Sequence, residues 1–182
     1  MPKEYPLELI RGEKDISIKQ FWLILLTLMA LALSSLQAAD NELDAVKTLI
    51  SANLEPDGIV FEIITWEDNS WDWAAPMLQT AVQQLRTQYP GIEIAVVSHG
   101  NELFELALKN NNPLKPSMQI LQTLGDEQVE FYVSGDYAKY KYLSTRDFLP
   151  FVDVVPSGTA QLQDYIKLGF SHILLERPHA AN

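Results

Sequence analysis

Val129-Glu130-Phe131-Tyr132-Val133-Ser134-Gly135 reads as a buried strand that stops on a small polar residue and turns into a helix. Its β-branched and aromatic side chains fit a pleated surface covered on both faces. In an open α/β sheet, ligands bind at the carboxyl ends of the strands. Ser134 therefore stands where chemistry is to be looked for.

Outward from this stretch the same pattern recurs. Ile59–Thr65, Ile92–Val97, Phe151–Val155 and Ser171–Leu175 are apolar runs of strand length bounded by turn residues. Helical patterns alternate with them. Asp40–Ser51 places Leu43, Val46 and Ile50 on one face. Pro76 suits a first helical turn, and Met77, Leu78, Ala81, Val82 and Leu85 follow as a stripe in a helix that ends at Tyr89-Pro90-Gly91. Asn101–Asn110 and Ser117–Leu124 read as two further helices, the second closed by Gly125. A short tyrosine-bearing helix follows Gly135. A last one spans Thr159–Leu168, with Leu162, Ile166 and either Tyr165 or Leu168 inward. Strands alternating with helices predict a three-layer α/β/α sandwich around a mainly parallel five-stranded sheet.

Residues 1–39 are set apart from this fold. Lys19 precedes the apolar run Phe21–Leu33, and small residues follow up to Ala38 and Ala39. That is the layout of a secretory signal peptide with a long n-region, cut near Ala38 or Ala39. The apolar run is shorter than the roughly 20 residues that span a bilayer, so no stable membrane span is expected. Extending the run to Ile16–Leu36 takes in Lys19 and Gln20 and leaves an N-terminal anchor as the alternative. The expected location is periplasmic or secreted. The remaining chain divides into an N-terminal helix and turn (40–56), the α/β domain (57–176) and a polar tail (177–182).

The formal net charge is −11, and the first 39 residues hold four basic and four acidic side chains, so the whole excess follows them. A surface this acidic repels phosphate backbones, and nucleic acid is excluded as a partner. There is no cysteine, which removes disulfides, thiolate nucleophiles and zinc–thiolate sites. His99, His172 and His179 show no metal-ligand spacing. No metal and no cofactor is expected.

Several residues gather at the expected carboxyl edge. Trp66, Glu67, Asp68, Asn69, Ser70, Trp71, Asp72 and Trp73 form a loop after the first strand. It reads either as an aromatic wall for a ligand or as a staple of the next helix to the sheet, made by Trp71 or Trp73. His99 ends the second strand. Ser134 and His99 pair on paper as nucleophile and base, with Asp68 or Asp136 to orient the imidazole. The surroundings of Ser134 lack the Gly-x-Ser-x-Gly elbow, and a serine there also serves as a cap of the following helix. Ser157-Gly158 opens the last helix and suits a small anion or an ordinary N-cap. The ligand-edge set is thus Trp66, Asp68, His99, Ser134, Ser157 and Gly158.

Taken in order, Gly58–Trp73, the ending Val96-Val97-Ser98-His99-Gly100, the strand Val129–Gly135, and Leu149-Pro150 through Val155-Pro156-Ser157-Gly158 to Leu168-Gly169-Phe170 resemble the DsrE/DsrF-like family of sulfur-relay proteins over about residues 57–176. The resemblance implies a parallel five-stranded sheet and assembly into trimers or hexamers. It also implies, in active members, a persulfide-carrying cysteine just after the third strand. Here that position is Ser134. A serine hydroxyl stays protonated and cannot hold a persulfide, so sulfur transfer does not carry over. Two readings follow. One is an oligomeric binding or assembly protein that holds a small molecule or related subunits. The other is a hydrolase-type enzyme acting through Ser134 and His99 on a small substrate.

Overall fold

The computed structural model describes residues 44–52 and 55–177; the expected signal peptide (1–39) and residues 178–182 of the tail lie outside them. Helix α1 (Asp44–Ser51) precedes β1 (Gly58–Ile63), α2 (Trp71–Gln88), β2 (Ile94–Ser98), α3 (Pro116–Asp126), β3 (Glu130–Ser134), α4 (Gly135–Ala138), β4 (Val152–Val155), α5 (Gly158–Lys167) and β5 (Phe170–Leu175). The strands form a single sheet in the order β4-β3-β2-β1-β5. All four pairings are parallel, with Phe61 opposite both Val96 and Ile173, and Ser134 opposite Val155. The expected α/β class and parallel five-stranded sheet are both present.

The topology explains the layers. From β1 to β4 the chain steps outward one strand at a time, and right-handed crossovers place α2 and α3 on one face. The connection from β4 to β5 runs back across the sheet, so α5 lies on the other face. Residues alternate accordingly. Ile59, Phe61, Val96, Phe131 and Val133 enter the large core under α2 and α3. Val60, Ala95 and Val97 meet Leu162 and Tyr165 of α5 in a smaller one. No helix among the described residues is long and apolar enough to cross a membrane.

Among the differences from the sequence pattern, three helix boundaries and one inward face each have a local reason. Helix α2 starts at Trp71 rather than near Pro76, which lies inside it. Trp71 is fully buried, and its docking fixes the helix start. Pro76 sits close enough to that start to forfeit only one helical hydrogen bond. Asn101–Asn110 is not one α-helix but two 3₁₀ segments, Asn101–Leu106 and Leu108–Asn110, interrupted at extended Ala107. Ala107 bridges Phe148, and Leu149 N–H donates to the Leu106 carbonyl at 3.1 Å. Tertiary pairing therefore overrides the helical periodicity.

Gly125 does not close α3. A Cβ on it would lie 2.9 Å from Phe151 Cβ, and the left-handed residue after the helix is Gln128 (φ 67°). The glycine is a packing site. In α5 the inward residues are Leu162 and Tyr165, while Ile166 and Leu168 are exposed. A single helix over the sheet needs only a narrow apolar stripe.

Candidate functional site

The carboxyl ends of β1 and β2 are tied together by a residue that the sequence pattern does not single out. Glu102 is fully buried. Its carboxylate accepts from Gly100 N–H at 2.7 Å and Ser98 Oγ at 2.9 Å on one oxygen, and from Thr65 N–H at 2.9 Å on the other. Trp71 Nε1 donates to the Glu102 carbonyl at 3.0 Å. Gly100 is required here, because a Cβ would fall 2.6 Å from both the backbone nitrogen and oxygen of Thr65. A second acid, Glu105, accepts from Ser70 N–H at 2.7 Å.

Burial raises both carboxyls above the ordinary range. For Glu102 it outweighs the hydrogen bonds from Gly100, Thr65 and Ser98; for Glu105 it outweighs the Ser70 N–H and the charge of Lys115. Both then keep a proton in the folded chain at pH values where the unfolded chain has lost it. Their contribution to stability is complete below the unfolded value of 4.5 and is lost as pH rises through the folded values. Urea titrations across that window are expected to show the native protein losing stability, with rising pH, relative to a Glu102→Gln/Glu105→Gln variant. A relative gain with rising pH would contradict this.

His99, Ser134 and Gly158 do come together. A Cβ on Gly158 would lie 2.9 Å from His99 Cβ and 3.2 Å from Ser134 Cβ. Ser134 is 5% exposed, and its Oγ accepts from Gly158 N–H at 3.1 Å. It makes no side-chain cap to α4, the helix that follows it. It satisfies the start of α5 instead, a helix 24 residues further on. Ser157 is an N-cap, its Oγ accepting from Ala160 N–H at 3.4 Å. The carboxylate on His99 is neither Asp68 nor Asp136. Glu62 holds His99 Nε2 at 2.7 Å with one oxygen and His172 Nε2 at 2.7 Å with the other. Asp136 pairs with Lys139 at 3.0 Å. Replacing Ser134 with alanine leaves a buried backbone N–H without its acceptor. The expected cost is about 1–2 kcal/mol in a denaturant titration; an unchanged midpoint would remove the capping role.

Trp66 and Asp68 belong to a different part of the edge. The tryptophans divide: Trp71 is the staple, and Trp66 is 66% exposed. The Trp66 ring meets Tyr137 edge-on at 5.8 Å, and Tyr137 stacks on Phe104 at 5.4 Å and meets Tyr140 at 5.6 Å. Asn101 joins the row, donating to the Trp66 carbonyl at 3.1 Å and accepting from Tyr137 OH at 2.8 Å. Beside it opens a cleft of about 550 Å³, lined among others by Asp68, Asn101, Phe104, Lys109, Lys115 and Lys141. That volume is in the range of small-molecule sites. Among the described residues no cluster of three or more histidines and acids is placed to hold a metal ion.

Neither protein-family models nor curated proteins give a match to this chain. Solved structures do. One is MTH1491, a protein of unknown function from Methanobacterium thermoautotrophicum, with a TM-score of 0.53 at 21% identity, covering 65% of this chain and 99% of that one. The likeness establishes a shared α/β fold.

Proposed function

We propose that this chain is an exported, oligomeric DsrE-like binding or assembly domain that works without a sulfur carrier. The observation that carries the reading is the state of Ser134. The residue standing where the family's cysteine is expected is nearly buried, and its hydroxyl is committed to Gly158 N–H. The chain has no cysteine to replace it. The same edge exposes Trp66, Tyr140 and Tyr142, large amphipathic side chains of the kind that anchor partners and ligands. Native mass spectrometry of the purified chain is expected to give a trimer or hexamer, starting near Ala39 or Asp40. A persulfide-transfer assay is expected to stay at background. A monomer, or transfer above background, sinks the proposal.

The hydrolase reading keeps one observation in its favour, the Glu62–His99 hydrogen bond of 2.7 Å. A carboxylate that orients an imidazole is part of a nucleophilic triad. Against it, the described hydrogen bonds include none between His99 and Ser134, whose oxygen accepts from Gly158. A fluorophosphonate probe is expected to leave Ser134 unlabelled; stoichiometric labelling would favour the hydrolase.

A further inference from the structure

We infer that the cleft beside Phe104 binds a small organic anion, its charge met by Lys109 and Lys141 and its apolar body lying against Phe104, Met118 and Leu143. The inference deepens the binding reading above and rests on it only for the idea that the edge takes a ligand; assembly plays no part in it.

Charge distribution is the first observation. The chain carries a net charge of −11, and only nine of its 13 basic side chains follow residue 39. Three of those nine line this one cleft. They are not equivalent. Lys115 is neutralised in place, with Asp72 at 3.0 Å, Glu105 at 3.8 Å and Asn69 Oδ1 at 2.9 Å. Among the described residues, Lys109 and Lys141 make no ion pair within 4 Å. Lys109 feels the field of Asp147, and Lys141 lies 5.6 Å from the centre of the Phe104 ring. Two positive charges therefore line the cleft without a carboxylate within 4 Å.

The amides add donors. Asn69 Oδ1 accepts from Lys115 Nζ, and Asn112 Oδ1 accepts from Leu114 N–H at 3.1 Å. An ammonium and a backbone N–H can only donate, so these partners fix the amide orientation. The NH₂ groups of Asn69 and Asn112 are left to donate elsewhere, and both residues line the cleft. Two ammonium groups and two amide NH₂ groups make a donor-rich lining, which suits an acceptor-rich anion. Asp68 and Glu105 are the opposing charges in the lining; Glu105 lies 3.8 Å from Lys115, and Asp68 favours seating the anion toward Lys109 and Lys141. Phe104, Met118 and Leu143 supply the apolar surface.

Benzoate and its neutral counterpart benzamide are matched probes. Equilibrium dialysis of each, radiolabelled, against the full chain is expected to give one saturable benzoate site per chain. Benzamide is expected to bind at least about tenfold more weakly, and benzoate binding is expected to fall with added salt. The Lys109→Gln/Lys141→Gln variant is expected to lose the preference for benzoate. The Lys139→Gln/Lys167→Gln variant changes net charge equally, at lysines paired with Asp136 and Asp164, and is expected to keep it. No saturable site, equal binding of the two probes, or equal effects of the two variants each overturns the inference. Because the readout is independent of oligomer size, the binding domain can assemble as proposed while this ligand class fails, and the reverse.

Discussion

Glu102→Leu is expected to destabilise the protein by about 3 kcal/mol, although it replaces a fully buried acid with an apolar residue of similar size. A calculation by burial alone gives the opposite sign, since a desolvated carboxyl is costly and leucine is not. The hydrogen bonds decide it. Leucine leaves Thr65 N–H, Gly100 N–H and Ser98 Oγ–H without the acceptor they now share. Each unpaired buried donor costs about 1–3 kcal/mol, partly offset by relief of the desolvation. Glu102→Gln retains one acceptor oxygen and turns an NH₂ toward the remaining donors, so a loss of about 1–2 kcal/mol is expected. The order native, Gln, Leu in urea midpoints tests the claim. A leucine variant as stable as the native protein would show that Glu102 does not hold the ends of β1 and β2.

How far such details can be read in advance depends on the range of the interaction. The strands are written locally, as continuous apolar runs that only a sheet covered on both faces can bury. They appear at Gly58–Ile63, Ile94–Ser98 and Glu130–Ser134 within a residue or two of the pattern. Burial of Trp71 is legible only in part: the pattern offers Trp71 or Trp73 as a staple without choosing between them or against an aromatic wall for a ligand, and the helix start at Trp71 appears only in the fold. Glu102 is of another kind. In sequence it is one acid in an amphipathic, helix-like segment, and only the approach of Thr65, 37 residues away, turns it into a buried clasp. Glu62 likewise looks like the polar member of a strand until β2 and β5 bring His99 and His172 to its two oxygens. Ser134 reads as the end of a strand and is one, yet its partner is a helix that starts after another whole strand. Position along the chain indicates which edge carries the polar groups. Pairing across the sheet determines what each of them does.

Trp71→Ala is expected to be the most damaging single change between β1 and the first turn of α2, at about 3–5 kcal/mol. The side chain is fully buried, part of the core under α2, and its Nε1 donates to the Glu102 carbonyl at 3.0 Å. Truncation opens a cavity and removes that donor together. Trp71→Phe separates the two losses: it keeps most of the buried area and forfeits the hydrogen bond, for about 1–2 kcal/mol. Trp66→Ala provides the contrast. Trp66 is mostly exposed and rests edge-on against Tyr137, so its loss is expected to stay near 0.5 kcal/mol. Because Trp71 and Glu102 touch, their effects are coupled. The double variant Trp71→Ala/Glu102→Leu is expected to cost less than the two single losses combined, since each already loosens the segment the other secures. Strict additivity in urea titrations would mean that the helix start and the strand ends are held independently. Non-additivity would make Trp71, Glu102 and Thr65 one unit, which sets the position of the loop carrying Trp66 and Asp68 and therefore the mouth of the cleft.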